Sequence, residues 1–327
     1  MKVLVTGGAG YIGSHTVKLL LEEGYEVVVF DNFSTGKREL LVGGELVEGD
    51  LMDKESISGV FRTKNIGAVL HFASFIQVGE SYKDPRKYYT HNLITSLNLL
   101  DAMLERNVKA FVFSSSAAVY GVPLQVPIPE SHPLNPINPY GQTKVFIEKA
   151  LEDYHRAYGL KFISLRYFNA SGADPEGFLG EMHDPETHLI PNIILFLLGE
   201  KENFDVYGTD FSTEDGTAVR DYIHVTDLAG AHVLALKKLM ESPWSEFINL
   251  GTNKGYSVLE VIHKTEEVTG KKVAYRKKPR RKGDVPVLLA SKEKSEKILG
   301  WKPSLSRIET IIETAWSWHQ KTAKKKA

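Results

Sequence analysis

Tyr140 and Lys144 stand four residues apart in Tyr140-Gly141-Gln142-Thr143-Lys144, a spacing that puts a phenol and an ammonium on one face of a helix. A free tyrosine titrates near pH ~10, so service as a base near neutrality needs about 4 kcal/mol of extra stabilisation of its anion. A cation beside the phenol supplies this, because opposite charge favours the ionised form. Two unrelated residues on a solvated helix face would show the same spacing, and with 14 tyrosines in the chain roughly one such pair arises by chance. The discriminating context lies upstream, where Val108-Lys109-Ala110-Phe111-Val112-Phe113-Ser114-Ser115-Ser116 reads as an apolar strand ending in three hydroxyls. Ligands bind at the carboxyl ends of strands in open α/β sheets. Ser116 can there hydrogen-bond a substrate oxygen and relay its proton to Tyr140. The candidate catalytic set is Ser116, Tyr140 and Lys144.

The start of the chain, Val3-Leu4-Val5-Thr6-Gly7-Gly8-Ala9-Gly10-Tyr11-Ile12-Gly13, reads as a buried strand, a glycine-paved turn and a helix. Gly7 turns the chain out of the strand, and Gly10 clears the approach to a diphosphate. Gly13 lets the helix lie close on the sheet, with its first N–H groups, at Tyr11 and Ile12, aimed at the phosphates. Such turns also occur without a ligand, but Asp31 ends a second apolar run, Val27-Val28-Val29-Phe30, 18 residues after Gly13. A carboxylate there binds the adenosine ribose hydroxyls and repels a 2′-phosphate, so NAD is expected rather than NADP. Lys37 and Arg38, which could serve NADP, fall past the strand end. Together the two stretches describe hydride transfer to and from an alcohol.

The elements that must position these groups follow from apolar runs near 2–6, 26–30, 45–48, 67–72, 108–114 and 161–167, which read as parallel strands. Helical patterns span 12–23, 85–106 and 139–158. The predicted fold is α/β, a doubly wound parallel sheet of Rossmann type with a smaller mixed α/β C-terminal substrate lobe. After Gly172 the regularity breaks at Pro175, Gly177, Gly180, Pro185 and Pro191, so the division falls at 1–172 and 173–327. In the second part, Arg220 and Arg281 are candidate phosphate clamps, unless they serve as salt-bridge partners of Asp221 and Asp284. Tyr207, in Asp205-Val206-Tyr207-Gly208, offers an aromatic face for a base, or else a core residue.

With its later motifs the chain resembles the extended short-chain dehydrogenase/reductases, and within them is very similar to the UDP-galactose 4-epimerases from Met1 to about Trp318. The motifs are Asp50-Leu51, His71-Phe72-Ala73, Ser114-Ser115-Ser116-Ala117-Ala118-Val119-Tyr120-Gly121 and Arg166-Tyr167-Phe168-Asn169. Thr213-Glu214-Asp215-Gly216-Thr217, Val219-Arg220-Asp221-Tyr222-Ile223-His224-Val225 and Arg280-Arg281-Lys282-Gly283-Asp284 complete them. The resemblance implies that Asn32, Ser34, Thr35, Gly36, Asp50, Leu51, Phe72, Ala73, Ser114 and Phe168 join the glycine loop, Asp31, Tyr140 and Lys144 around NAD. It implies that Asn169, His188, Leu189, Val206, Tyr207, Arg220, Arg281, Asp284 and Leu288 hold UDP-glucose or UDP-galactose beside Ser116 and Tyr140. It also implies that residues 219–240 rejoin the first domain, and that helices 85–106 and 139–158 pair in a homodimer.

Related dehydratases carry an Asp-Glu pair after the active-site hydroxyl, where this chain has Ala117-Ala118. That leaves reversible oxidation at C4 of the sugar. Three positions depart from the family pattern: His188 replaces an asparagine, Ile76 a cofactor-side lysine and Ala118 a threonine. Leu288 stands at the hexose gate, between the tyrosine of glucose- and galactose-restricted members and the small residue of those admitting N-acetyl sugars. Alternatives are epimerisation of a UDP-N-acetylhexosamine, uronate or pentose, or a non-catalytic NAD-binding regulatory role.

Composition restricts the rest. A net charge of −1 with a pI near 6.8 provides no field for nucleic acid or anionic lipid. Without cysteine there are no disulfides and no thiolate metal ligands, and no metal is expected. The apolar stretch 189–199 is too short to span a bilayer and contains Pro191 and Asn192. A strand at the very start leaves no room for a signal peptide, so a cytoplasmic protein without membrane partners is expected. The basic stretch 321–326 reads as a solvated, frayed end.

Overall fold

Runs of β-branched and aromatic residues, apolar toward both faces, build the central sheet of the computed structural model, which describes residues 1–241, 244–281 and 283–326. The first six strands are β1 (Lys2–Thr6), β2 (Glu26–Asp31), β3 (Glu45–Glu48), β4 (Ile66–His71), β5 (Ala110–Ser114) and β6 (Lys161–Arg166). Then come β7 (Asn169–Ser171), β8 (Asp205–Tyr207), β9 (Val219–His224), β10 (Glu246–Asn249), β11 (Gly255–Ser257), β12 (Arg276–Lys278) and β13 (Val287–Leu288). The first six helices are α1 (Tyr11–Glu22), α2 (Lys54–Thr63), α3 (Val78–Lys83), α4 (Pro85–Tyr88), α5 (Thr95–Glu105) and α6 (Pro139–Tyr158). They are followed by α7 (Leu189–Leu197), α8 (Val225–Glu241), α9 (Val258–Thr269), α10 (Glu293–Leu299) and α11 (Ile308–Lys326).

Seven strands form one parallel sheet in the order β10-β6-β5-β4-β1-β2-β3. The chain winds outward from β1 in one direction, then returns to its other side at β4. A crevice therefore opens at the carboxyl ends of β1 and β4, where Thr6 pairs with His71. Alternate strand residues face opposite ways. Val3, Val5, Val27, Val29 and Val112 pack with Val17 and Leu20 of α1 and Leu228 and Leu236 of α8. Leu4, Val28, Phe30, Phe111 and Phe113 pack with Ile57 of α2, Leu99 of α5 and Ile147 and Leu151 of α6. This is the expected doubly wound sheet.

Beyond it, β9 is the centre of a four-stranded mixed sheet, antiparallel to β11 and parallel to β13 and β7. A third core of Ile190, Ile193, Val206, Tyr222, Val261, Ile308 and Ile312 lies in this lobe. Of the segment 219–240, α8 lies on the large sheet and β9 runs through the smaller one. Strand β10, which the sequence reading left within 173–327, extends the large sheet alongside β6. Its four residues, Glu-Phe-Ile-Asn, are too few to stand out as an apolar run.

Helix 139–158 forms as expected, because each end is defined locally. Asn138 caps it by accepting the Gly141 N–H at 2.8 Å, Pro139 occupies its first turn, and Gly159 ends it at φ +69°. The pattern at 85–106 is not one α-helix, since Tyr89–Ile94 widens to π geometry between α4 and α5. Asn92 in that turn is buried, and its amide brackets the backbone N–H and C=O of Phe75 at 2.8 and 2.9 Å. The basic C-terminal stretch is helical through Lys326, and Lys321 Nζ donates to Gly177 O at 2.8 Å. Lys321 and Lys324 are exposed, as expected of a solvated end. Ala327 and the side chains of Lys325 and Lys326 lie outside the described residues.

Candidate active site

Helix α6 approaches the turn after β5 so closely that a Cβ at Gly141 would lie 2.5 Å from Ala118 O. Glycine after Tyr140 is what lets the phenol reach Ser116. The Ser116 hydroxyl faces the phenol and favours its anion, and Ser116 Oγ accepts the Ala118 N–H at 3.1 Å. Lys144 is buried one turn on. Its Nζ donates to Ser114 O at 3.0 Å and lies 4.8 Å from the Phe113 ring centre and 5.7 Å from that of Tyr140.

Burial pushes Tyr140 up to about 12, against the Ser116 hydrogen bond. It pulls Lys144 down to about 7, against the attraction of Glu148. The sequence reading had Lys144 and the positive charge of a nicotinamide together lowering the phenol. Of these, the ammonium is turned to the Ser114 carbonyl, and desolvation governs both side chains. The phenol is thus held neutral near pH 7, while Lys144 is about half charged there.

The loop between β1 and α1 has the shape of a dinucleotide cradle. Gly7 has φ +73°, and a Cβ there would lie 2.5 Å from the Ala73 nitrogen; at Gly13 one would lie 2.2 Å from Gly7 O. Gly10 caps α1 without a side chain, which leaves the N–H groups of Tyr11, Ile12 and Gly13 directed outward from the helix end. Phe72 and Ala73 fix the opposite lip by donating their N–H groups to Thr6 O. Asp31 is buried at the end of β2 and accepts the N–H groups of Ala9 and Phe33, each at 2.9 Å. Burial raises its affinity for a proton, and those two N–H groups oppose this.

Asn32 donates to Asp50 at 3.0 Å, Ser34 N–H returns to Asn32, and Leu51 is buried beside them. A Cβ at Gly36 would meet Asp31 Oδ1 at 2.9 Å, so Thr35 and Gly36 fold over the carboxylate. Arg38 pairs with Glu48 and lies over Phe33 at 4.2 Å, which commits it elsewhere than to a 2′-phosphate. Narrow glycine lips, a free helix end and an oriented carboxylate fit NAD.

The structure disperses the nucleotide half over the second lobe. Asn169 Nδ2 donates to Asp221 O at 3.0 Å, and Phe168 packs with Leu288 against Ala117, Val119 and Tyr120. Arg220 is held by Val219 O and Val285 O at 2.9 Å each, and its guanidinium stands 3.9 Å from Asp284. Asp221 does not pair with it. Burial raises that carboxyl to about 7, and Thr252 donates to it.

Arg281 stacks on Tyr207 at 4.2 Å, so these two candidates meet, while Val206 in the middle of β8 is buried. His188 caps α7 ahead of Leu189, in contact with Glu181 and Glu186. Ile76 is exposed. Lys282 of the Arg280–Asp284 motif lies outside the described residues.

Sequence reasoning missed the framework behind these residues. Glu148 and Arg166, both buried, form a two-pronged ion pair at 2.7 and 2.9 Å; Ser115 and Ser164 donate to Glu148, and Arg166 to Tyr120. A glutamate one turn past Lys144 is the only local signal of it. Tyr11 donates to Gly172 O at 2.6 Å, tying the phosphate helix to the domain division.

The model of the NAD dependent epimerase/dehydratase family matches residues 3–251. The UDP-glucose 4-epimerase of Halalkalibacterium halodurans is 50% identical over 320 residues, 98% of this chain and 96% of that protein. Among solved structures, the UDP-glucose 4-epimerase of Brucella ovis in complex with NAD is 48% identical with a TM-score of 0.94, covering 97% of each chain. That of Bifidobacterium longum with NAD+ and UDP is 41% identical with a TM-score of 0.95, covering 99% of each.

Proposed function

This chain belongs to the NAD dependent epimerase/dehydratase family, and from that premise we propose that it interconverts UDP-glucose and UDP-galactose at C4 of the hexose. The observation that carries the reading is the Ser116–Tyr140–Lys144 group at the end of β5, its phenol and ammonium buried, with two alanines after Ser116 where an eliminating enzyme needs an acid and a base. Bound NAD supplies the acceptor for the C4 hydride and later returns it. Tyr140 withdraws the 4-hydroxyl proton, Ser116 orients that oxygen, and Lys144 stabilises the phenolate. The 4-keto sugar must then present its other face. The diphosphate therefore needs a firm grip, which we assign to Arg220 and Arg281, and the hexose a loose one.

Leu288 sets the size of the hexose pocket in this reading, since it packs against the apolar cluster that includes Ala117 and Val119 of the turn after Ser116. UDP-glucose and UDP-galactose should be preferred, with slower action on UDP-N-acetylglucosamine. Pockets of this kind discriminate by about 1–3 kcal/mol per methylene-sized change. Turnover of both sugar pairs by wild type, Leu288→Tyr and Leu288→Ser tests this. The tyrosine should suppress N-acetyl activity and the serine raise it, and equal ratios in all three would remove Leu288 from the gate.

The reading includes a homodimer. The face made by the π segment and α6 leaves Ile94 44% and Phe146 38% exposed, which suits a helical seam. A sedimenting species of 36.6 kDa at micromolar concentration would contradict it. Among the described residues no helix is long and apolar enough to cross a membrane.

A further inference from the structure

Glu181, His183, Glu186 and His188 converge on one short loop, and we infer that they bind a divalent transition-metal cation of the zinc class. One donor atom from each lies within 4.8 Å of all the others. Glu181 Oε1 is 2.8 Å from His183 Nδ1 and 2.7 Å from His188 Nδ1, and His188 Nδ1 is 2.8 Å from Glu186 Oε1. Zinc takes imidazole nitrogen and carboxylate oxygen at about 2.0–2.2 Å, so four tetrahedral donors stand about 3.4 Å apart. The observed spacings straddle that value, and shifts of about an ångström complete the shell. The expectation of no metal rested on the absence of cysteine, and this donor set needs none. Two imidazoles select zinc-class ions over magnesium and calcium.

The loop is braced to hold these groups. The carboxylates are buried, with side chains 3% and 5% exposed, and the histidines are only partly open to solvent at 21% and 34%. Trp318 Nε1 donates to Glu181 O at 3.1 Å. The N–H groups of Thr187 and His188 fix Glu186 Oε1 at 2.6 and 2.7 Å, and Asn192 Nδ2 donates to His188 O at 2.7 Å. The His183 ring centre lies 6.0 Å from that of Tyr11, and His188 caps α7. A cation here would tie the start of the phosphate helix to the entrance of the second lobe, as a structural brace.

The test uses the full chain after chelator treatment, titrated with Zn2+ by calorimetry and with Co2+ by visible absorption, with Mg2+ and Ca2+ as controls. The site predicts one equivalent of Zn2+ per chain, four-coordinate cobalt bands and a melting midpoint that rises with Zn2+. His183→Ala and Glu186→Gln should each weaken binding by more than about tenfold. Far-UV circular dichroism without metal verifies that each variant folds, and His183→Ala, which trims a partly exposed ring, keeps the test decisive if Glu186→Gln does not. No saturable binding, or equal affinity in wild type and His183→Ala, would overturn the assignment and leave the loop a network of charge pairs.

Discussion

Replacing Tyr140 by phenylalanine is expected to slow turnover by ~10²–10⁴-fold while leaving UDP affinity near that of the wild type. The substitution removes one oxygen from a buried position whose neighbours are already satisfied. Ser116 keeps its contact with the Ala118 N–H, and Lys144 keeps the Ser114 carbonyl. The loss should therefore fall on the chemical step. Without cofactor the phenol stays protonated up to about 12, because burial disfavours its anion. Ionisation at working pH thus needs a cationic neighbour, and Lys144→Met should lose activity together with some affinity for NAD. Near-normal turnover of Tyr140→Phe, measured with saturating UDP-galactose, would remove the phenol from the proposed role.

The largest effect on stability is expected at a pair that touches neither ligand. Arg166→Met should lower unfolding free energy by about 3–5 kcal/mol, because it leaves the Glu148 carboxylate buried with only Ser115 and Ser164 as donors. The same change frees the Tyr120 hydroxyl of its Arg166 donor, although its own bond to Asn249 at 2.6 Å remains. Because Ser115 precedes Ser116 and Glu148 follows Lys144 by one turn, this network also fixes β5 against α6. A fall of less than about 1 kcal/mol in urea unfolding would show that the pair is not needed to hold them.

The candidate catalytic residues stood out because each is tied to a local signal: a strand ending in serines, and a helix started by Asn138-Pro139 and stopped by Gly159. The glycine loop was legible for the same reason, and so were the positions of the first six strands along the chain. Long-range closures were not. Strand β10 reaches β6 across about 80 residues of chain, and nothing in Glu-Phe-Ile-Asn announces its partner. The π turn at Tyr89–Ile94 depends on Asn92 meeting Phe75, 17 residues earlier. The raised pKa of Tyr140 reflects how completely the fold encloses it, which the spacing to Lys144 does not contain. The four donors at 181–188 lie close in sequence, yet only the loop's path brings their side chains into one shell.

The measurement closest to the central claim is incubation of the purified chain with UDP-galactose and no added NAD, followed by proton NMR. If Tyr140 and a retained cofactor complete a closed cycle of oxidation and reduction, UDP-glucose appears catalytically, to many equivalents per chain. NAD is then recovered on denaturing the protein, with no 4-keto sugar accumulating. Turnover that stops at or below one equivalent per chain, or that proceeds only with millimolar NAD and builds up oxidised sugar, would contradict it and indicate an ordinary dehydrogenase.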